Sequence, residues 1–382
     1  MSSLRKPAVS QSLASLLTRS IHRLTRPQPA SAVVPVAGAM VHAACDARPS
    51  SRRATVAGAA VLIGALALSF AIPAQADTKK VRYEEVVRSV LYMPMYVAMT
   101  KGYFKEEGLD VSLKTSQGTD KGMAALLAGS ADIVLIGPEA SVYVANSESP
   151  VKTRVFAGLT ATDGFLLLAR EPADSFDWSM LKGKRVMSFR PGSNPDVFLM
   201  TAMEKHGLDP AKDVRMVSNI GPAARAGAWM AGQADYGIFL EPEASNLERD
   251  GHGKVVASIG EEVGQVDFTS FTATEKFLAD NPDVAQKWVN AIYRAQQEIQ
   301  NAPAADLATH MQPFFPGLSH AELVGAVERY RPFRLWKENP VVEEAAMNQL
   351  QDMLIKMGLQ KDSERVAYAN LVETRFAKEA MK

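Results

Sequence analysis

The chain has 382 residues with 42 Lys or Arg, 42 Asp or Glu and no net charge, yet residues 1–76 hold eight bases against Asp46 alone, leaving 34 bases and 41 acids beyond them. That acidic remainder shows no basic stripe for nucleic acid, and at roughly 300 residues it is too long for one compact core, so two lobes are expected. The only cysteine, Cys45, lies before it, which excludes disulfide and thiol chemistry there.

The eight bases are Arg5, Lys6, Arg19, Arg23, Arg26, Arg48, Arg52 and Arg53. Arg52 and Arg53 precede an uncharged run from Ala54 to Ile72, and Ala74-Gln75-Ala76 supplies the small residues of a signal-peptidase site. Residues 1–76 thus read as a targeting region, and the exported chain is expected to begin at Asp77 in the periplasm. The run approaches the ~20 residues of a membrane span, but its Ala/Gly richness and A-x-A ending favour cleavage. Paired arginines suggest twin-arginine export; no Phe or Leu stands two or three residues beyond them, so general secretion is the alternative. Residues 1–39 are a transit peptide or lie upstream of a true start at Met40.

From residue 77 the pattern alternates strand and helix. Met93-Pro94 opens a short apolar helix, and Gly102 stands where a left-handed helix end costs least. A strand over Asp110–Thr115 follows, then a helix started by Gly118-Thr119-Asp120 with a capping side chain and closed by Gly129, then a buried strand at Ile133–Ile136. Such βαβ units make a parallel sheet whose carboxyl-end loops, here those at Met93, Gly118 and Gly137, are where a ligand is expected.

Thr153–Ala169 reads as a strand running between lobes and broken at Thr162-Asp163-Gly164, the first hinge. Leu181–Val186 starts the second lobe, and Arg190-Pro191-Gly192-Ser193-Asn194 precedes a helix capped near Asn194 or Asp196. The stretch from Ser116 to Glu139 then recurs as Asn219 to Glu243, with the glycine pair Gly118/Gly129 matched by Gly221/Gly232. A-G-x-A-D is also a common helix-to-strand connection, and that alternative stands beside a true repeat. The chain returns through Val255–Ile259 and a second crossover at Asp267–Ser270, and a long helix begins at Asn281-Pro282-Asp283. These boundaries give a first lobe from 77–163 completed by 268–382, with 164–267 between; the C-terminal helices are expected on the first lobe.

The segments GYFKEEGLDVSL, ALLAGSADIVLIG, LKGKRV, FRPGSNP and FLEPEAS resemble the SsuA-like and thiamine-pyrimidine-synthase-like substrate-binding proteins of ABC transporters, over roughly residues 81 to 290. The resemblance implies an α/β, two-lobed periplasmic binding protein fold of type II, each lobe a mainly parallel sheet flanked by helices, joined by a two-segment hinge. It implies a monomeric receptor that closes around a small organic solute and passes it to a permease with a cytoplasmic ATPase. No cofactor, metal or catalytic residue is implied.

Enzymatic readings find little to stand on. His206, His252, His310 and His320 lack metal-ligand spacing, and no G-x-S-x-G, Walker loop or G-x-G-x-x-G after a strand occurs. The alternative with content is the pyrimidine-forming fungal branch of the same family, whose cysteine-rich iron site has no counterpart after Cys45. An effector-binding regulator would need a DNA-reading domain where the targeting region stands.

The solute itself stays open between an anion of the sulfonate, nitrate or taurine kind and a pyrimidine-like heteroaromatic. Helix starts near Met93, at Gly118 and Thr119, and at Ser193 and Asn194, with Arg190 beside them, suit an oxyanion. Against that, Glu139, in the loop of Gly137, and Glu241 stand at strand ends, where a carboxylate suits an amine or N–H donor, Glu241 being the counterpart of a glutamate that meets the amino group in pyrimidine binders. Tyr92, Tyr96, Phe165 and Phe268 offer rings for stacking, although aromatics at strand ends are often core. Thr162 and Asp163 join the set from the hinge. For Glu241 a second reading is a helix cap, or a pair with Arg190 or Arg225.

Overall fold

The computed structural model describes residues 78–171 and 173–382. The targeting region, its cleavage site and Cys45 lie outside them. Among the described residues ten strands form two five-stranded sheets, ordered β2-β1-β3-β10-β4 and β7-β6-β8-β5-β9. The first contains β1 (Lys79–Glu85), β2 (Leu109–Thr115), β3 (Ile133–Ile136), β4 (Thr153–Thr160) and β10 (Thr269–Thr274). The second contains β5 (Leu166–Ala169), β6 (Arg185–Met187), β7 (Arg215–Val217), β8 (Tyr236–Phe239) and β9 (Lys254–Ser258).

Each sheet has a parallel half: β1 with β2 and β3, and β6 with β7 and β8. The strands next to the crossovers are antiparallel, β10 against β3 and β4, and β5 against β8 and β9. The interior strand β3 is buried at every position, as a strand covered on both faces must be. The edge strand β2 instead points Asp110, Ser112 and Lys114 to solvent, which blunts an open edge.

The strand expected across Thr153–Ala169 breaks where its sequence does, at Thr162-Asp163-Gly164: β4 ends at Thr160, β5 starts at Leu166, and the two belong to different sheets. The second crossover ends sooner than expected, with Thr269 already in β10. Gly118 does precede the helix Thr119–Leu127, at φ 153°, but no side chain caps that helix. The helix Asn194–Lys205 starts after Ser193, again with no side-chain cap.

The A-G-x-A-D motif has the same physical task in both lobes. Arg82 of β1 donates to Asp132 from its backbone N (2.8 Å), Nε (3.0 Å) and NH2 (2.5 Å), and from NH1 to the Gly129 carbonyl (2.7 Å). Arg185 of β6 repeats every contact with Asp235 (2.8, 3.2 and 2.6 Å) and the Gly232 carbonyl (2.8 Å). Gly129 and Gly232 both sit at φ 70°, a left-handed end that glycine takes without strain. The motif therefore fixes the register of the strand that leaves each helix, β3 against β1 and β8 against β6.

The helix Pro282–Asn301 buries Trp288 among Tyr83 (ring centroids 5.2 Å), Phe271 (5.4 Å) and Phe104 (4.6 Å), and so completes the first-lobe core. Two C-terminal helices pack on first-lobe elements as expected and also reach the second lobe. His320–Tyr330 sends Arg329 to Glu241 and Glu248, and Glu344–Lys356 sends Lys356 to Glu204, all three on the second lobe.

Candidate functional site

A cavity of about 560 Å³ opens between the two sheets. Its wall is built from the loops beyond the carboxyl end of each parallel strand: Val86–Ser89 after β1, Gln117–Thr119 after β2, Gly137 after β3, Phe189 and Arg190 after β6, Ser218–Pro222 after β7, and Leu240–Glu243 after β8. Phe165 and Phe268, one in each crossover, close the side between the lobes. Phe165 packs edge-on to Phe189 (4.9 Å) and Phe268 edge-on to Phe198 (5.1 Å), the edge-to-face arrangement that aromatic pairs favour.

Ten of the fifteen expected site residues line this cavity: Tyr92, Gly118, Thr119, Gly137, Phe165, Arg190, Ser193, Asn194, Glu241 and Phe268. Five do not. Met93 is fully buried in the core beneath the turn Val90–Tyr92. Tyr96 points inward, donating its hydroxyl to Glu85 Oε2 (2.7 Å) and stacking on Phe314 (4.6 Å). Thr162 donates to the Gly264 carbonyl (2.6 Å) and pins the first crossover to the helix Ile259–Val263. Asp163 turns back on its own loop to accept the Phe165 N–H, and burial pushes its carboxyl up to about 8. Glu139, 1% exposed, folds back under Gly137 and accepts the Asn194 N–H (3.3 Å) from the other lobe. Burial pushes it up to about 7.

Across the cleft the lobes already touch. Asp120 pairs with Arg190 (2.7 Å), Tyr143 donates to the Gly192 carbonyl (2.9 Å), and Asn194 Nδ2 donates to the Phe268 carbonyl (2.7 Å). Glu241 both caps the helix Glu243–Arg249, accepting the Ser245 N–H (3.2 Å), and pairs with Arg329 (3.1 Å). Its partner is thus neither Arg190 nor Arg225. Its backbone N–H goes to the Tyr330 hydroxyl (2.7 Å).

Arg225 is the wall residue that pattern reading passed over as a site. It is 2% exposed, begins the helix Arg225–Met230, and donates to the carbonyls of Ser188 and Ile238. Its guanidinium lies 3.8 Å from the Phe189 ring centroid. Burial pushes it down to about 10, against the pull of Glu243, so it is a cation at neutral pH. A signal was present: the repeat that matches Gly118 to Gly221 puts Arg225 opposite Gly122, the point where the second copy replaces no side chain with the largest cation.

The histidines lie elsewhere. His206 pairs with Glu262 (2.6 Å) and stacks on Trp178 (5.0 Å), His310 meets Thr100 (3.3 Å), and His320 meets Thr309 (3.1 Å). Among the described residues no group of three or more His, Cys, Asp or Glu is placed to hold a metal.

Residues 90–306 match the family described as NMT1/THI5 like. The chain belongs to that family. YtlA of Bacillus subtilis (strain 168), named as a candidate binding protein, is 38% identical over 318 residues, covering 82% of this chain and 95% of YtlA. The 4-amino-5-hydroxymethyl-2-methylpyrimidine phosphate synthase of Aspergillus parasiticus is 26% identical, over 56% of this chain and 64% of the synthase. Among solved structures, the periplasmic aliphatic sulphonate binding protein SsuA of Escherichia coli superposes with a TM-score of 0.62 at 18% identity, covering 77% of this chain and 97% of SsuA. The fold is that of periplasmic binding proteins, two helix-flanked sheets joined by two crossovers.

Proposed function

We propose that this chain is the extracytoplasmic solute-binding receptor of an ABC importer, which closes by hinge motion around one small organic solute and delivers it to a permease with its ATPase. The observation that carries the reading is a cavity walled by both lobes and by both crossovers. A solute seated there touches residues on both sides only when the lobes approach, so its extra affinity for the closed form shifts the population toward it. Volume agrees: about 560 Å³ lies in the usual range for small-molecule pockets. The relative matched over most of both chains is named as a binding protein. The synthase covers a smaller share at lower identity, and no histidine among those described lines the cavity.

Differential scanning fluorimetry against sulfonates, carboxylates, nitrate and pyrimidines should find a solute that raises the melting temperature. Solution scattering with that solute should give a smaller radius of gyration. A bound solute that leaves the scattering curve unchanged overturns hinge closure, and product release from a pyrimidine precursor overturns the receptor reading.

A further inference from the structure

We infer that Arg225 is the residue that selects the solute's charge, taking one anionic oxygen group against the second lobe while the crossover rings take an apolar body. The inference rests on the receptor reading and names the solute class for the same cavity.

Three of the other charges on the wall are already matched, and Glu243 and Lys121 make no ion pair among the described residues. Arg88 is paired with Glu85 (2.5 Å), Arg190 with Asp120 (2.7 Å), and Glu241 with Arg329 (3.1 Å). Among the described residues Arg225 has no carboxylate within 4.0 Å; the nearest influence, Glu243, acts on it through space without an ion pair. A guanidinium carries five N–H donors, and two are matched here to backbone carbonyls. The charge is buried, and a buried charge without a counter-ion is costly. Phe189 relieves part of that cost from one face. An incoming oxyanion would relieve the rest through charge-assisted hydrogen bonds.

Glu241 bears on the opposite choice. Its carboxylate is the acceptor an amine would seek, and Arg329 and the Ser245 N–H already occupy it. Glu243 and the exposed Lys121 complete the charged wall. Lys121 adds positive potential at the rim, and Glu243 sits where a second negative charge on the solute would meet repulsion. The favoured solute is therefore a monoanion with an apolar or aryl body, in preference to a zwitterion, a dianion or an amine.

The test is calorimetric titration of the purified protein with matched probes: benzenesulfonate and benzoate as monoanions, benzamide as neutral, benzylamine as cation, and butanesulfonate against taurine for the zwitterion. Monoanions should bind at least tenfold more tightly than their neutral, cationic or zwitterionic partners, and the first two probes separate sulfonate from carboxylate. Arg225→Gln should weaken the best monoanion by about ten- to a hundredfold, the size expected for a charge-assisted hydrogen bond, while Arg225→Lys should recover part of the loss. Because Arg225 also supports two backbone carbonyls, the wild-type probe series is the arm that does not depend on the variant folding. A preference for benzamide or benzylamine, or unchanged monoanion affinity in Arg225→Gln, overturns the inference and leaves the receptor reading intact if scattering still reports compaction. Binding of no probe and no panel solute, with an invariant scattering curve, overturns both.

Discussion

Arg329 donates to Glu241 Oε1 at 3.1 Å across 88 residues of sequence, so the carboxylate after β8 is held by a cation from a helix that follows the second crossover. The Glu241 side chain is fully buried and the Arg329 side chain is 29% exposed. Such a pair adds little over an apolar substitute, but removal of one partner strands the other. Arg329→Met should therefore cost about 3 kcal/mol in urea unfolding, and Arg329→Met with Glu241→Gln should regain most of it. Additive losses in the double variant would show that the two side chains act separately.

Arg190 and Asp120 form another charged bridge between the lobes, yet their side chains are 45% and 37% exposed. Exposed pairs contribute about 0–1 kcal/mol. Arg190→Gln should change solute affinity by less than about fivefold, far less than Arg225→Gln. A loss comparable to that of Arg225→Gln would mean that Arg190 leaves Asp120 to hold the solute.

Asp163 makes stability depend on pH with a defined sign. Its folded carboxyl, pushed up to about 8 by burial, holds a proton that the unfolded chain releases near pH 3.9. The stability linked to it is fully present below about pH 4 and is lost as pH rises through about 8. Asp163→Asn keeps an acceptor for the Phe165 N–H and removes the titration. The melting temperature of the variant should fall less than that of the wild type between pH 4 and 8; parallel profiles would place the charge elsewhere.

Gly129 and Gly232 are equivalent by geometry, both at φ 70° with nothing within 4 Å of an added Cβ. Alanine at either has room and only backbone strain to bear, about 1–2 kcal/mol. Both variants should lose stability by a similar amount, and asparagine should be milder than alanine at each. A large difference between the two sites would argue that the Arg82 and Arg185 clamps are not equivalent.

Much of this protein is local in origin and was legible in its sequence. Alternation along Asp110–Thr115, the apolar run Ile133–Ile136, and glycines at 102, 129 and 232 each set a strand or a helix end through forces acting over a few residues. The repeated A-G-x-A-D pointed to two lobes of one construction, and the strand-end loops around it are where the cavity lies. Tertiary structure alone decided how the charges are shared. Tyr96 and Asp163 carry groups as suited to a ligand as those of Tyr92, but rotation of one helix and one turn commits them to partners inside the protein. Glu241 is answered by Arg329 and, among the described residues, Arg225 by no carboxylate, because electrostatic pairing depends on distance and desolvation in space, which residue order does not encode.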